Sequence, residues 1–403
     1  SGYLSLIKRL FHSIRRGTLV PGIRYRAGEA WSHWKLAATR RRKHRMFDAW
    51  LAELRAHPPD VLIGANFDKQ GGVGNHIQSI RRYSSLRVEP APSDKLMASL
   101  RIHDFQSELR QSFLEFAPRG IRVLHSHVFP WFIEWCRKHQ ESGVRWVHTY
   151  HNMYFPEFGK QGLEPWQKEM NHVLVNDARH ADVRISVSRW QSAFLEKEYG
   201  IPTIYLPNGV DVSLSDRADA NRFIRKTGLS RFVLYAGRND PVKNPADFVR
   251  LALCLPQHAF VMIGHDLTLE ILRTEWEVGA PKNLYLYGSA SRGEVQDALA
   301  ACSILVVTSK REGLPTLVLE AMTHRKAVVV PDDAGCMEAV GQGKFGFIYR
   351  QGDLDDLAAK TLSALADTNL GPRARERVLA EYDWRVVAPK LDALYRGEVS
   401  CSK

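Results

Sequence analysis

The stretch FVLYAGRNDPVKNPADFVRLALCLPQHAFVMI, residues 232–263, sets the pattern for most of this chain. Its two ends are short apolar runs, Phe232–Gly237 and Phe260–Ile263, and the segment between them has apolar residues at helical spacing. A strand, a helix and a second strand of this kind form a unit whose strands run parallel. Repetition of the unit predicts an α/β protein with helices on both faces of parallel sheets.

The same alternation extends outward from this stretch in both directions, beginning at Asp60. The other candidate strands are residues 61–66, 122–127, 145–151, 183–188, 203–206, 284–287, 304–308, 327–330 and 346–349. A turn at Pro207-Asn208-Gly209 and the polar stretch after it divide the series in two. We therefore predict two doubly wound parallel-sheet domains that face a cleft, with ligands beyond the carboxyl ends of the strands.

The first fifty residues carry most of the net charge of +12, with twelve Lys and Arg against two acidic residues. An apolar stripe at helical spacing runs through the basic residues; its members are Leu4, Ile7, Leu10, Phe11 and Ile14. We predict a basic helical extension whose residues 1–45 bind an anionic membrane surface. Packing of the stripe on the protein, or self-association, is the alternative. The near-neutral remainder argues against a nucleic-acid partner.

Composition excludes several classes of protein and of site. No run approaches the ~18 apolar residues of a spanning helix, and no signal peptide is evident. The five cysteines are scattered, which argues against a disulfide framework or a cysteine zinc site and favours a reducing, cytoplasmic location. His125 and His127 alternate on one predicted strand, but the sequence places no further ligand beside them, so we predict no metal site. Asp353-Leu354-Asp355 precedes a predicted helix and is interpreted as its cap.

Three motifs carry chemistry that suits a sugar nucleotide. Gly71-Gly72 lies between a predicted strand and a predicted helix, where backbone amides can approach a phosphate; a tight turn is the alternative. Arg238 and Lys243 follow a strand in the second half and could neutralise a diphosphate, unless they form a solvated basic loop. Glu312 and Glu320 flank a Gly-Leu-Pro turn, and their carboxylates suit sugar and ribose hydroxyls.

The order of these motifs resembles the family-4 retaining glycosyltransferases, which have the GT-B fold. From about residue 60 to 395, the resemblance rests on Gly71-Gly72, His127, Thr149-Tyr150-His151-Asn152, Pro207 to Asp211, Gly237-Arg238 with Lys243, and Glu312 to Glu320. It implies a GT-B-like fold of two Rossmann-like domains. We divide the chain into a basic helical extension (1–59), an N-terminal acceptor domain (60–208), a C-terminal donor domain (209–380) and a last helix that crosses back (381–403). The extension departs from the family pattern.

The resemblance also implies roles for individual residues. The expected catalytic residues are His151 beside the reacting centre, Glu312 at the transferred sugar, and Arg238 with Lys243 at the diphosphate. The expected donor-binding residues, besides Arg238 and Lys243, are Gly71, Gly72, Gly313, Leu314, Pro315, Thr316 and Glu320, the last of these at the ribose. His127 and Asn152 are expected on the acceptor side.

The implied reaction transfers a glycosyl group, with retention, from a nucleoside diphosphate sugar to an acceptor hydroxyl. We expect a lipid-linked or saccharide acceptor, in the assembly of bacterial polysaccharide, lipopolysaccharide or glycolipid at the inner face of the membrane. No cofactor and no essential metal are expected. A sugar-nucleotide epimerase or a phosphorylase on the same fold is an alternative, and a non-catalytic basic binding module is an alternative from a different class.

Overall fold

The structure is a computed structural model that describes residues 21–66, 71–140 and 143–398. Its strands are β1 (Val61–Gly64), β2 (Val88–Ala91), β3 (Val123–Ser126), β4 (Arg145–Tyr150), β5 (Val183–Ser186), β6 (Ile204–Tyr205), β7 (Val233–Ala236), β8 (Phe260–Ile263), β9 (Leu284–Gly288), β10 (Ile304–Val306), β11 (Ala327–Pro331) and β12 (Phe347–Tyr349).

The helices alternate with these strands over most of the chain. They are α1 (Pro21–Ala56), α2 (Gly72–Tyr83), α3 (Asp94–Ser99), α4 (Arg110–Leu114), α5 (Pro130–His139), α6 (Pro165–Asn176), α7 (Arg189–Tyr199), α8 (Val212–Asp216), α9 (Ala220–Thr227), α10 (Pro245–Cys254), α11 (Leu269–Glu275), α12 (Arg292–Ala301), α13 (Thr316–Thr323), α14 (Ala334–Ala339), α15 (Leu354–Ala366), α16 (Leu370–Glu381) and α17 (Trp384–Arg396). Short π-helical and 3-10 turns occur at Asp104–Glu108, Pro156–Phe158 and Ala178–His180.

The strands form two six-stranded sheets, as the alternation predicts. The order is β2-β1-β3-β4-β5-β6 in the first sheet and β12-β11-β10-β7-β8-β9 in the second. Every pairing between these strands is parallel. The predicted fold class, two Rossmann-like domains in a GT-B arrangement, is confirmed.

One strand was missed by the sequence analysis. Strand β2 has the sequence Val-Glu-Pro-Ala and pairs only with β1, at the edge of the first sheet. Its Pro90 lacks the backbone donor that a central strand needs, and a proline in a strand is tolerated at such an edge. Glu89 and Pro90 interrupt this strand, so it lacks the continuous apolar run by which the other strands were recognised.

Each sheet has its own apolar core. In the first domain, buried residues of β1 and β3 pack with Ile77 and Ile80 of α2 and with Trp384, Val387 and Leu391 of the last helix α17. The last helix is also attached by polar contacts, since Asp392 accepts hydrogen bonds from Ser84 and Ser85 beyond α2. In the second domain, two buried clusters cover the two faces of the sheet. Asp353 caps α15 by accepting the N–H of Asp356, as predicted.

Residues 21–58 and 93–116 form a compact unit of their own, separate from the unit that contains both sheets. Phe47 and Trp50 of α1 pack on Phe113, with ring centroids 6.4 and 5.9 Å apart. Lys43 pairs with Asp104 and lies 3.8 Å from Glu108. Part of the basic run is therefore matched by carboxylates from residues 93–116, a partner segment that the sequence analysis did not identify.

The apolar stripe from Leu4 to Ile14 lies outside the described residues, so the prediction made for it stays a prediction. Helix α1, which follows, ends at Ala56, just before His57-Pro58-Pro59. Within the described ranges, no helix combines the length and the apolar character that crossing a bilayer requires.

Candidate active site

The amino end of α2 places Gly71 and Gly72 at the carboxyl edge of the first sheet. Gly71 is the N-cap of the helix, and its carbonyl accepts the N–H of Asn75 at 2.9 Å. A Cβ added at Gly72 would meet nothing within 4 Å, so open space lies beside this glycine. Residues 67–70, which precede it, lie outside the described part. The helix begins where predicted, and a helix amino end is a favourable position for an anion.

Lys243 and Glu312 form an ion pair in the second domain. The Lys243 Nζ lies 2.5 Å from Glu312 Oε1, and both side chains are largely shielded from solvent. The N–H of Glu312 donates to Asp333 Oδ2 at 3.1 Å, which anchors the loop after β10. Burial raises the pKa of Asp333 to about 6. The two residues that were predicted separately for phosphate and for sugar therefore contact each other.

Arg238 follows β7. Its guanidinium lies 3.6 Å from Asp240, and 64% of its side chain is exposed. Burial raises the pKa of Tyr154 in the first domain, and the nearby charge of Arg238 partly opposes this shift. Arg238 is thus an accessible cation on the second domain that faces a residue of the first domain.

Glu320 lies in the second turn of α13, as its spacing from Glu312 predicts. Gln296 donates its Nε2 hydrogen to Glu320 Oε2 at 3.0 Å. Ser215 and His324 in turn bond to Gln296 Oε1, each at 2.9 Å, which fixes the orientation of the amide. Burial raises the pKa of Glu320 and lowers that of His324 to about 4. Gln296 is a supporting residue that the sequence analysis missed, because nothing in its local sequence marks it.

The start of α13 forms the turn between the two glutamates. Leu314 is buried with 5% exposure, and Pro315 occupies the N-cap position with Thr316 as the first helical residue. Leu314 belongs to the apolar core of the second domain. These residues connect the loop that carries Glu312 and Gly313 to the helix. Their role in binding the donor stays a prediction.

Three histidines meet at the edge of the first sheet. His127 follows β3, His151 follows β4 and His76 is on α2. The His127 Nδ1 lies 2.9 Å from His151 Nε2, and the His76 ring lies 4.7 Å from the His151 ring. Burial lowers the pKa of His151 to about 3, and it also lowers the pKa values of His76 and His127. Burial thus favours the neutral form of all three rings. The sequence analysis identified no Cys or carboxylate partner for His127, and the structure places the imidazoles of His76 and His151 beside it.

The loop after β10 reaches the first domain at His151. A Cβ added to Gly313 would lie 2.1 Å from the carbonyl oxygen of His151 and 3.3 Å from Asn152 Cβ. Trp190 Nε1 donates to the Gly313 carbonyl at 2.6 Å. These contacts bring His151, Asn152, Gly313 and Glu312 into one place. Trp190 was not predicted, because tryptophans are common in cores and its sequence neighbours give no signal.

Two further contacts hold the domains together near this loop. Glu338 accepts the N–H groups of Arg189 and Trp190 at 2.7 and 2.9 Å, at the amino end of α7. Arg311 lies 3.4 Å from Glu157. The described residues thus form a cleft edge with cations and carboxylates on the second domain, and with neutral imidazoles and a helix amino end on the first. Such a set can bind a diphosphate and orient sugar hydroxyls.

Comparisons with known proteins agree with this arrangement. Residues 73–214 match the family described as Glycosyltransferase Family 4, and residues 216–379 match the family described as Glycosyl transferases group 1. Sucrose-phosphate synthase from Thermosynechococcus elongatus superposes with a TM-score of 0.69 at 18% identity, over 84% of this chain and 98% of that one. At that identity the likeness bears on the fold.

Two curated relatives act on lipid-linked acceptors, to judge by their names. The N,N'-diacetylbacillosaminyl-diphospho-undecaprenol alpha-1,3-N-acetylgalactosaminyltransferase of Campylobacter jejuni is 34% identical over 109 residues, which are 26% of this chain and 29% of that protein. The phosphatidyl-myo-inositol mannosyltransferase of Mycolicibacterium smegmatis is 27% identical over 227 residues, 53% of this chain and 56% of that protein. The matched regions thus span 29% and 56% of the length of these relatives.

Proposed function

The chain belongs to the family-4 glycosyltransferases of the GT-B fold, and on that premise we propose that it transfers a sugar from a nucleoside diphosphate sugar to an acceptor hydroxyl. The transfer proceeds with retention and without an essential metal. The product belongs to a cell-surface polysaccharide, lipopolysaccharide or glycolipid. The observation that carries the proposal is the Lys243–Glu312 pair, held beside Gly313 where the loop contacts His151.

Donor binding exchanges the partner of Lys243. A diphosphate brings two or more negative charges to the cleft, and Lys243 and Arg238 are the cations available to it there. When Lys243 turns from Glu312 to a phosphate oxygen, the Glu312 carboxylate becomes free to accept hydrogen bonds from the transferred sugar. The same two cations stabilise the charge that grows on the leaving phosphate as the glycosidic bond breaks.

Retention follows a front-face route in this proposal. The leaving phosphate oxygen takes the proton of the acceptor hydroxyl, and the new bond forms on the face that the phosphate leaves. This route needs no carboxylate nucleophile on the far side of the sugar. In the part of the chain that the structure describes, the side-chain contacts of His151 are with other imidazoles. Neutral His151 and His127 orient sugar and acceptor hydroxyls.

A donor panel tests the proposal directly. UDP-, GDP-, ADP- and dTDP-sugars are screened by thermal shift, because a ligand that binds only the folded state raises its stability. Turnover of the stabilising donor is then followed in EDTA, and the anomeric configuration of the product is read by NMR. We expect one nucleotide to stabilise the protein, turnover to persist in EDTA and the configuration to be retained. Absence of any stabilising nucleotide contradicts the donor site, and an inverted product contradicts the front-face route.

The acceptor in this proposal is lipid-linked, and residues 1–45 hold the enzyme on the inner face of the membrane. The names of both curated relatives support a lipid acceptor. On α1, Arg41, Arg42 and Arg45 are exposed, whereas Lys43 pairs with Asp104. Exposed basic residues near an anionic surface contribute about 1 kcal/mol each. Among the described residues of α1, these three arginines can therefore reach lipid headgroups.

Co-sedimentation with anionic vesicles separates this role from a soluble enzyme. Wild type should pellet and be released by salt, because screening shortens the reach of each charge. Reversal of Arg41, Arg42 and Arg45 to Glu should abolish pelleting. Its matched control reverses three exposed cations of the second domain; these are Arg273, Lys282 and Lys344. Equal loss of pelleting in both variants would indicate an effect of net charge. If wild type itself does not pellet, the membrane role is wrong.

A further inference from the structure

We propose that His76, His127 and His151 form a binding site for a borderline-soft divalent metal ion of the Zn²⁺ type, and that the bound ion inhibits the transferase. One ring nitrogen from each histidine lies within 4.8 Å of one from each of the others. The site goes beyond the proposed function, in which no metal takes part in transfer.

The three side chains are positioned by three separate elements. His76 is on the first turns of α2, His127 follows β3 and His151 follows β4, the neighbouring strand of the sheet. His76 also packs its ring on Trp384, with ring centroids 5.1 Å apart. The rings therefore converge because of the fold, and each is held on a regular element or directly beyond one.

Two nitrogens in this cluster lack partners within the described part of the chain. His76 Nδ1 and His127 Nε2 are buried and make no hydrogen bond there, although the residues themselves are only 8% and 1% exposed. A buried polar atom without a partner is costly, and most such atoms in folded proteins are satisfied. A metal ion that accepts the lone pair of His76 Nδ1 removes that cost at His76, while His127 binds the ion through Nδ1, the nitrogen that faces His151.

The chemistry of the donors selects the kind of ion. Neutral imidazoles suit Zn²⁺ and its neighbours in the first transition series, whereas Mg²⁺ and Ca²⁺ prefer oxygen ligands. Three histidines with an open fourth position are a recurring zinc set, with metal–nitrogen distances of about 2.0–2.1 Å. The His127–His151 nitrogen separation of 2.9 Å is already short enough for two ligands of one ion. His76 must approach by side-chain rotation to complete the set.

Occupancy of this site opposes transfer. A bound ion takes a ring nitrogen of His151 and of His127, so neither can orient a sugar hydroxyl. It also places a divalent charge at the edge of the cleft where the loop with Gly313 meets His151. Zinc therefore acts as an inhibitor at this position, and its removal by a chelator restores activity.

The test measures binding apart from activity. Co²⁺ is titrated into the purified protein and the visible absorption is recorded, since a tetrahedral nitrogen site gives a strong band. The affinity for Zn²⁺ is measured by competition with a chromophoric chelator. Variants His76→Gln and His127→Gln remove one ligand each. His265→Gln, an exposed histidine of the second domain beside Asp266, controls for binding at surface imidazoles.

We expect one Zn²⁺ per chain, a weakening of about 100-fold or more in each of the first two variants, and no change in His265→Gln. Circular dichroism and melting curves of each variant show whether the fold survives. Equal affinity in His76→Gln, His127→Gln and wild type, or loss of binding in His265→Gln alone, overturns the site. If Zn²⁺ binds as predicted but does not inhibit turnover, the inhibitory role is wrong and the binding site stands. Inactivity of the metal-free wild type bears on the proposed transferase function, not on this site.

Discussion

Gly313 offers the sharpest test of the cleft, because its backbone lies directly against the His151 carbonyl of the first domain. A Cβ at this position would lie 2.1 Å from the His151 carbonyl oxygen, whereas ordinary contacts begin at 3.4 Å. Gly313→Ala must therefore move the loop and the carbonyl apart by about 1.3 Å. The obstructing atom is backbone, so no side-chain rotation relieves the contact.

The displacement should act on catalysis much more than on folding. A misplacement of about 1 Å can cost about 100-fold in rate, so we expect kcat/KM to fall by about that factor, or about 2.7 kcal/mol of transition-state stabilisation. Gly313 does not have a positive φ, so alanine adds no backbone strain. The domains can yield by opening, and the melting temperature should change by only a few degrees.

Steady-state kinetics and thermal melting of Gly313→Ala are compared with those of Gly293→Ala. Gly293 lies in α12 and a Cβ there meets nothing within 4 Å. Alanine in that helix should stabilise the protein by about 0.5–1 kcal/mol and leave kcat/KM unchanged. Wild-type kcat/KM in Gly313→Ala would refute the reasoning. So would a loss of activity accompanied by a collapse of the melting temperature, since the contact would then support the fold.

The site leads to three other predictions. Arg238→Ala should lower kcat/KM by about one to two decades with the fold intact, because charge-assisted contacts contribute about 1.5–3 kcal/mol each. Near-normal turnover would show that Arg238 does not bind the diphosphate. Gln296→Leu should raise the donor KM about tenfold, because Glu320 loses the hydrogen bond that positions its carboxylate. The preference for ribose donors over 2′-deoxyribose donors should also become smaller. An unchanged preference would show that Glu320 does not bind the ribose. The pKa of His324 is lowered to about 4, so the unfolded state takes up a proton before the folded state does as the pH falls below about 6.5. The free energy of unfolding should therefore decrease by about 2 kcal/mol by pH 5. Denaturant melts of His324→Gln should lack that part of the pH dependence.

The strands were predictable from sequence because parallel strands are buried on both faces. Residues such as Val233–Ala236 and Phe260–Ile263 form uninterrupted apolar runs, and eleven of the twelve described strands overlap a predicted run. The exception, Val88–Ala91, lies at an edge where burial is one-sided and proline is tolerated. The strands that could be predicted are thus those whose successive residues are all in an apolar environment.

The site could be predicted only where its functional residues lie close together in the sequence. The helix start at Gly71-Gly72 and the spacing of Glu312 and Glu320 are local, and the structure places them as expected. The bond from Trp190 to Gly313 joins residues 123 positions apart, and sequence spacing cannot reveal it. The Lys243–Glu312 contact was not predicted either, although both residues had been selected, since their pairing depends on how two loops fold back from one sheet edge.

The compact helical unit has a consequence for the way this protein is made. Helix α1 leaves the ribosome with Phe47 and Trp50 on its surface, and their partner Phe113 follows about 60 residues later. At 5–20 residues per second, that interval lasts roughly 3 to 12 s. The strands and helix of residues 59–92, which belong to the other unit, emerge in between. A nascent chain of this protein therefore exposes an aromatic surface for seconds, long enough for capture by a chaperone, and a circular permutant that joins residues 93–116 directly to α1 would close that interval.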